Sequence, residues 1–194
     1  MGFKKAEYAS IKDYLEVEYT SKQKHEYEGG HIFAITGGSI NHGILCGNAY
    51  TELRSGLKKR NSSCNAFGSE IKIHIEKADS LVYPDAMVIC TDIETSEADT
   101  EAVVNPILVV EVLSKSTESY DRGDKFHKYR QLESLKEYVL IAQDKPVVET
   151  FYKRESNIWE IARFAGLDQL IDLKSLNFII RMEDLYTNIR FHSL

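Results

Sequence analysis

Two carboxylate residues in this chain, Asp85 and Glu111, lie inside stretches of sequence that are otherwise almost entirely apolar. Asp85 belongs to the segment 81–89 and Glu111 to the segment 106–114. An ionised carboxylate is costly to bury unless a partner compensates its charge. A divalent cation is such a partner, because hard cations prefer Asp and Glu oxygens as ligands. The pattern therefore predicts a Mg²⁺ or Mn²⁺ site between neighbouring strands, of the kind that phosphodiester hydrolysis requires.

Both acids also have purely structural interpretations. Asp85 follows Pro84 and fits a turn carboxylate, whereas Glu111 fits a structural buried acid. Spacing alone supports the structural interpretation and the metal site about equally. If a metal binds, the backbone carbonyl of Val112 is a natural third ligand, and water molecules can complete the octahedral oxygen shell that Mg²⁺ prefers.

The elements that precede the two acids are predicted from hydrophobic periodicity and turn residues. A first helix is predicted over 6–19, and it is followed by a hairpin that turns at Gly29 and Gly30. A long helix is predicted over 40–59, with Ser39 as its N-cap, because a serine hydroxyl can accept a hydrogen bond from a free amide of the first turn.

Strands are predicted to position the two acids directly. A strand over 64–74, bent at Gly68, comes before the two strands that contain the acids. Pro84 cannot donate to a strand ladder, so an edge, a bulge or an interruption is expected at that point. The acidic stretch 91–104 has no Lys or Arg and is predicted to be a mobile loop.

The second half of the chain indicates the topology of the sheet. A strand, a helix over 118–132 and a buried strand over 137–142 follow one another, which implies a crossover connection and a mixed sheet. Segments 147–153 and 159–164 are typical of a further hairpin. We therefore expect an α/β fold with a mixed central sheet flanked by helices, preceded by an N-terminal helix and β-hairpin.

Composition indicates an ordinary globular chain, with 194 residues, 43% hydrophobic and 28% charged. We expect a single domain over 1–194 with a functional core over about 39–145. No apolar stretch approaches the length of a membrane span, and no signal peptide is recognisable at the N-terminus. Cys46, Cys64 and Cys90 fit no zinc motif and no disulfide framework, so we predict three buried, unpaired residues in a cytoplasmic protein.

Several motifs together resemble the PD-(D/E)XK nuclease core, and the chain as a whole is similar to the Uma-type family of restriction endonucleases. The matching stretches are EYEGG at 26–30 with His42 after it, FGSEIK at 67–72, YPD at 83–85, EVLSKST at 111–117, YDRGDK at 120–125 and EYVL at 137–140. The resemblance covers residues 24–165 approximately. It implies a restriction-endonuclease fold and a Mg²⁺-dependent endonuclease that acts on DNA, with Asp85 and Glu111 as metal ligands.

One position departs from the nuclease motif. The motif places a lysine two residues after the glutamate, where this chain has Leu113. The resemblance implies that the lysine has moved to the following helix, as Lys125. Helical spacing would place Asp121, Lys125 and Tyr129 on one face, so this face could bring the lysine to the acids.

Lys115 is the competing lysine, because it would lie on the same side of an extended strand as Glu111. Residues 114–117 are typical of a turn between strand and helix, and for this reason we favour Lys125. The structural alternative for Lys125 is an i, i+4 salt bridge with Asp121, and the two interpretations are nearly balanced.

Four further residues are accessory candidates for the same site. His42 could contact a phosphate or a water molecule, although a polar cap at the start of the long helix explains it more simply. Glu26 and Glu70 are either acids near the metal or exposed strand carboxylates, and Glu70 is favoured because its strand precedes that of Asp85. Asp121 accompanies Lys125. Tyr129 is predicted to be a packing residue.

The expected partners are DNA and a second copy of the chain, with no membrane. A homodimer is expected because one site per chain cuts two strands most simply in a two-fold pair. The net charge of −6 disfavours a protein that coats nucleic acid but suits an enzyme that contacts it through metal ions. The alternative function is a catalytically silent nuclease fold that binds nucleic acid or protein. An unrelated metal hydrolase is disfavoured because no histidine cluster has ligand spacing.

Overall fold

A computed structural model describes residues 8–155 and 158–191 of the chain. The helices are α1 (Ile11–Thr20), α2 (Ile40–Lys59), α3 (Glu118–Tyr120), α4 (Phe126–Tyr129) and α5 (Met182–Leu185). The strands of the first half are β1 (His25–Glu28), β2 (His31–Ala34), β3 (Asn65–Gly68), β4 (Lys72–Ile75), β5 (Ser80–Val82) and β6 (Ala86–Ile89). Those of the second half are β7 (Ala102–Val103), β8 (Leu108–Leu113), β9 (Glu137–Ala142), β10 (Val147–Lys153), β11 (Trp159–Ala165), β12 (Leu170–Leu173) and β13 (Phe178–Arg181).

The central sheet has six strands in the order β11-β10-β9-β8-β6-β3. Strands β8 and β9 are parallel, while the other neighbouring pairs are antiparallel. The connection from β8 to β9 passes through a helical segment, as a parallel pair requires. The predicted mixed sheet with a crossover is therefore confirmed, and so is the α/β fold.

A second sheet of five strands, in the order β2-β1-β5-β4-β7, contains the predicted hairpin β1–β2. Gly29 and Gly30 both have positive φ angles at its turn, a conformation that glycine adopts without a steric penalty. Helix α1 contacts this sheet through Tyr14, which is fully buried against Tyr27. The first helix and the hairpin are confirmed, but the helix begins at Ile11 after its N-cap Ser10, later than the predicted start at residue 6, which itself lies outside the described residues.

Helix α2 covers one face of the central sheet. Ser39 is its N-cap, since its hydroxyl accepts a hydrogen bond from the His42 amide at 3.1 Å. Leu45, Leu53 and Leu57 form a buried stripe against the valines of β8, and each such side chain contributes about 1.5–3 kcal/mol by burial. This packing places the N-terminus of α2 beside the end of β8. The predicted helix bounds of 40–59 are confirmed.

The predicted strand over 64–74 is wrong, because the chain crosses from one sheet to the other within it. Strand β3 ends at Gly68 and pairs with β6 in the central sheet, whereas β4 begins at Lys72 and pairs with β5 in the second sheet. Every residue of β4 is buried, so its polar residues do not form an exposed face. The chain crosses back between β5 and β6, and Pro84 lies in this interruption, as predicted.

The prediction of a mobile loop over 91–104 is also wrong. Asp99 is buried, with Oδ2 at 2.6 Å from Lys72 Nζ and Oδ1 accepting a hydrogen bond from the Tyr19 hydroxyl at 2.5 Å. Strand β7 adds to the second sheet parallel to β4. The acidic stretch therefore supplies a buried counter-charge, which a count of charges along the sequence does not reveal.

Two of the three cysteines are paired, which contradicts the prediction that all are unpaired. Cys64 and Cys90 form a disulfide, because the register that sets Asn65 opposite Ile89 places the two cysteines side by side. Cys46 has a free thiol. The cytoplasmic location stays a prediction. No helix within 8–155 and 158–191 combines the length and the apolar character that crossing a membrane requires.

The helix predicted over 118–132 is shorter and less regular than expected. It begins at Glu118 and ends at Tyr129, and a π-helical turn over Asp121–Lys125 joins α3 to α4. The Tyr138 hydroxyl donates a hydrogen bond to the Asp121 carbonyl at 2.9 Å. π turns are frequent at functional sites, and this one leaves both of its end residues buried.

Candidate metal and active site

A cleft of about 1800 Å³ opens between the two sheets, at the N-terminus of α2 and the end of β8. We call it the central cleft. Of the seven site residues predicted from the sequence, six line it, and they come from five parts of the chain: Glu26, His42, Asp85, Glu111, Asp121 and Lys125.

Asp85 is held at the point where the chain enters the central sheet. Its Oδ2 accepts a hydrogen bond from the Val112 amide at 2.7 Å, and the same oxygen lies 3.5 Å from His42 Nε2. Burial alone would raise the pKa of Asp85, but its contacts with His42 and Val112 and the charge of Lys125 outweigh burial and lower the pKa. The carboxylate is therefore ionised and fixed beside β8.

Glu111 points away from α2, towards the helical segment that follows β8. Alternation along β8 puts Val110 and Val112 on the α2 side and Glu111 on the opposite side. Its Oε1 accepts a hydrogen bond from the Tyr129 hydroxyl at 2.8 Å and lies 2.9 Å from Lys125 Nζ. Burial raises the pKa of Glu111 well above its usual range, and Lys125 opposes this shift.

Lys125 is buried in the central cleft and is surrounded by oxygen atoms. Besides Glu111, its Nζ lies 3.4 Å from Glu26 Oε1 and donates a hydrogen bond to the Tyr83 carbonyl at 3.3 Å. Burial would lower the pKa of Lys125, but the carboxylates of Glu111, Glu26 and Asp121 raise it above its ordinary value. These carboxylates therefore favour the protonated, positively charged form of the side chain.

Lys115, the competing lysine, is exposed at the rim of the central cleft. Strand β8 ends at Leu113, so the alternation that would have directed Lys115 beside Glu111 stops before it. The structure thus brings Lys125, and not Lys115, into an ion pair with Glu111.

Two further acids complete the cleft floor. Asp121 is buried, and burial raises its pKa against the opposing effect of Lys125. Glu26 belongs to β1 of the second sheet, and its Oε1 accepts a hydrogen bond from the Tyr83 amide at 2.9 Å. Glu26 therefore contacts both the site lysine and the interrupted strand before Asp85.

Glu70 is the predicted accessory residue that the fold does not bring to the cleft. Its side chain is 80% exposed, and it forms an ion pair with Lys24 at 2.9 Å. The cause is the crossing between sheets: β3 ends at Gly68, so Glu70 lies in the connecting turn and not on a strand beside Asp85.

Two residues for which the sequence predicted only burial or packing, Tyr129 and Cys46, contact the site. Tyr129 donates to Glu111, and its position eight residues after Asp121 on one helical face was the signal for it. Cys46 lies with its Sγ 3.4 Å from His42 Nδ1, and the i, i+4 spacing of these two residues on α2 was the corresponding signal.

The donor set of the cleft fits a hard divalent cation. Asp85 and Glu111 supply carboxylate oxygens, which Mg²⁺ and Mn²⁺ prefer. Their charges repel, since Asp85 is one of the groups that raise the pKa of Glu111, and a cation would relieve this repulsion. The structure thus has the chemistry for such an ion, with Lys125 beside it as a fixed positive charge.

Comparisons with known proteins identify relatives along nearly the whole chain. The sequence profile of Uma2, described as "Putative restriction endonuclease", matches residues 11–183. The uncharacterized protein slr1290 of Synechocystis sp. is 32% identical over 94% of this chain and 93% of its own length. A second uncharacterized protein of that organism, sll1609, is 34% identical over 79% of this chain and 86% of its own length.

A solved structure shares the fold. It is titled as a putative nuclease belonging to DUF820 from Anabaena variabilis, and it superposes with a TM-score of 0.73 at 18% sequence identity. The match covers 92% of this chain and 97% of that chain. The similarity of the two folds therefore extends over both sheets and is not limited to the cleft.

Proposed function

We propose a function from one established fact, that this chain belongs to the Uma2 family of putative restriction endonucleases. The proposed function is that of a metal-dependent endonuclease that hydrolyses phosphodiester bonds in DNA. The proposed cofactor is Mg²⁺ or Mn²⁺, held by Asp85 and Glu111. One observation supports this most directly: Lys125 Nζ lies 2.9 Å from Glu111 Oε1, in the cleft that Asp85 also lines. Two acids and a lysine thus line one cleft, although the motif position for the lysine is Leu113.

The cation, when bound, supplies positive charge to the scissile phosphate and activates a water molecule for attack. Asp85 and Glu111 provide the ligand oxygens. Asp85 is oriented by the Val112 amide, and Glu111 is oriented by the Tyr129 hydroxyl. Hydrogen bonds of this kind hold ligands in place and tune their basicity.

Lys125 supplies positive charge at the reacting phosphate. Neighbouring carboxylates raise its pKa and favour the protonated form, which can donate hydrogen bonds to a phosphate oxygen or to the nucleophile. Glu26 and Asp121 stabilise this charge, and we assign them a positioning role. We assign His42, at the cleft wall, an accessory contact to phosphate or water.

Metal binding tests the proposal. Isothermal titration with Mn²⁺ should detect binding to the wild-type chain that weakens at least about tenfold in Asp85→Asn, because a ligand oxygen is lost. Mg²⁺-dependent cleavage of duplex DNA should be lost in the same variant. Asp92→Asn removes an equal charge from an exposed position outside the cleft and should leave both properties unchanged. Wild-type Mn²⁺ affinity in Asp85→Asn would contradict the proposal.

The alternative function, a silent nuclease fold that binds nucleic acid or protein, has one observation in its favour. Position 113, where the nuclease motif has its lysine, is occupied by a buried leucine in this chain. Lys125 weighs against this alternative, because it reaches Glu111 from another element. Binding of DNA without metal, together with absence of cleavage, would favour it.

We also propose that the chain acts as a homodimer, because each chain has one such site and a two-fold pair cuts both strands most simply. Sedimentation equilibrium of the full chain should give twice the mass of 22.2 kDa. A mass that stays monomeric across micromolar concentrations, with full cleavage activity, would contradict the dimer and leave the nuclease proposal intact.

A further inference from the structure

Cys46 is a side chain of the central cleft that the proposed nuclease mechanism does not use. It lies one helical turn after His42 on α2, so both side chains point to the same side of the helix. The thiol is half-buried and free, in contrast to the paired Cys64 and Cys90. Its Sγ lies 3.4 Å from His42 Nδ1.

Asp85 completes a group of three different donors. One ligand atom from each of His42, Cys46 and Asp85 lies within 4.8 Å of the others. Within the described residues, 8–155 and 158–191, this is the one group of three or more His, Cys, Asp and Glu side chains with that spacing. The set combines nitrogen, sulfur and oxygen, unlike the two carboxylates of the proposed Mg²⁺ site.

The distances in this group are close to those of a tetrahedral metal centre. Zn–N distances of about 2.0–2.1 Å and Zn–S distances of about 2.3 Å imply ligand-to-ligand edges of roughly 3.3–3.8 Å. Cys46 Sγ lies 3.4 Å from His42 Nδ1, whereas Asp85 Oδ2 lies 3.5 Å from Nε2, the other nitrogen of the same ring. An imidazole binds an ion through one nitrogen, and with one ligand atom from each residue the three donors lie within 4.8 Å of one another, so a small adjustment of the side chains would complete the geometry.

The ring of His42 packs closely against the backbone of Gly38. A Cβ atom built on Gly38 would lie 2.8 Å from His42 Nδ1, so a larger residue there would displace the ring. The Val112 amide holds the Asp85 carboxylate from the other side, at 2.7 Å. Two of the three donors are therefore positioned by neighbouring backbone.

We propose that His42, Cys46 and Asp85 form a second metal site that is selective for Zn²⁺ and similar borderline-soft ions and that shares Asp85 with the nuclease centre. Nitrogen and sulfur donors favour such ions, whereas Mg²⁺ prefers oxygen. Three protein ligands leave a fourth position for water, and the thiol proton passes to solvent on binding.

The two sites compete for Asp85, whose Oδ2 already lies 3.5 Å from His42 Nε2. An ion bound by His42 and Cys46 holds Asp85 and removes it from the set that binds Mg²⁺. Zinc is therefore an inhibitor of cleavage, and this consequence rests on the proposed function. The binding of the ion itself does not rest on it.

Cobalt titration tests the site without any activity measurement. Co²⁺ added to the full chain should produce a thiolate-to-cobalt charge-transfer band that saturates at one ion per chain and disappears on addition of Zn²⁺. Cys46→Ala should remove the band, and Asp85→Asn should weaken Co²⁺ binding at least about tenfold. Absence of the band in the wild type, or an unchanged band in Cys46→Ala, would overturn the proposal.

Two matched variants identify the ligands. Glu111→Gln should keep the cobalt band while losing Mn²⁺ binding at the nuclease centre, because Glu111 is not one of the three donors. Cys64→Ser/Cys90→Ser should also keep the band, which assigns the sulfur to Cys46. Loss of the band in the double variant, in a chain that remains folded by circular dichroism, would instead overturn the assignment.

Inhibition is measured separately. The Zn²⁺ concentration that halves Mg²⁺-dependent cleavage should rise at least about tenfold in Cys46→Ala, with each variant compared with its own rate without zinc. Equal inhibition of both would overturn the sharing of Asp85. If the wild type cuts no DNA with any metal, the nuclease proposal fails, and the cobalt titration still decides whether the second site exists.

Discussion

Lys125 is buried, charged and within hydrogen-bonding distance of two carboxylates and a carbonyl. A buried ammonium is stable only with such partners, since desolvation opposes its charge. The same contacts fix the ammonium beside Glu111 in the central cleft. At the scale of single residues, the site therefore depends on carboxylate and carbonyl oxygens that compensate the charge of the buried lysine.

Lys125→Ala should abolish Mg²⁺-dependent cleavage, because the fixed positive charge at the phosphate is lost, while Mn²⁺ affinity stays nearly intact. Lys115→Ala serves as the matched control, since it removes an exposed lysine from the cleft rim. Single-turnover cleavage and isothermal titration measure the two effects. An inactive Lys115→Ala with an active Lys125→Ala would show that the lysine assignment is wrong.

Tyr129→Phe should weaken Mn²⁺ binding by about 10–100-fold, because it removes the hydroxyl that orients Glu111. Tyr138→Phe is the matched control: it also loses a buried hydroxyl, but that hydroxyl donates to the backbone carbonyl of Asp121. Both variants should lose roughly 1 kcal/mol of unfolding free energy, and only Tyr129→Phe should lose metal affinity. Equal metal affinities in the two variants would contradict the role of Tyr129.

At the scale of elements, the site is assembled by connections between the two sheets. The chain changes sheets after Gly68 and again at Pro84, and the change at Pro84 sets Asp85 beside β8. The acidic stretch 91–104 contains β7, which pairs with β4, and Asp99, which forms an ion pair with Lys72 of β4. A segment that is highly charged in sequence is therefore part of the packed structure.

Asp99→Ala should lower the unfolding free energy by about 3–5 kcal/mol, because it leaves Lys72 buried without its counter-charge. Glu97→Ala removes an exposed acid from the same stretch and should change stability by less than about 0.5 kcal/mol. Urea unfolding of the two variants and the wild type measures the difference. A loss below about 1 kcal/mol in Asp99→Ala would show that the stretch does not hold the second sheet in place.

At the scale of the whole molecule, net charge opposes the proposed substrate. A chain with a net charge of −6 repels duplex DNA, and carboxylates at the centre of the cleft add to the repulsion. In the proposed mechanism, a divalent cation would offset the negative charges of Asp85 and Glu111. Affinity for DNA should therefore depend on metal more strongly than on the basic residues at the surface.

Titration of labelled duplex DNA should show weak binding in EDTA and binding at least about tenfold tighter in Ca²⁺, which occupies oxygen sites but often fails to support hydrolysis. Asp85→Asn should reduce this dependence on metal, and its binding without metal should not be weaker than that of the wild type. Tight binding in EDTA that Ca²⁺ does not change, without cleavage in Mg²⁺ or Mn²⁺, would favour the silent binding module.

The sequence by itself was enough to predict the type and order of most elements and to single out two acids, Asp85 and Glu111. Helix α2 with its Ser39 cap, the β8–β9 crossover and the interruption at Pro84 follow from local rules of periodicity, capping and missing donors. The motifs around Asp85 and Glu111 also pointed to a nuclease fold, which the family and the superposed structure confirm.

The tertiary structure alone decided which residues meet. The division of segment 64–74 between two sheets moved Glu70 to the surface, and the cross-strand register joined Cys64 to Cys90. Local sequence does not specify these outcomes, because they depend on which strands pair and on where the chain changes sheets. For the same reason, only the folded chain brings Cys46 and His42 beside Asp85.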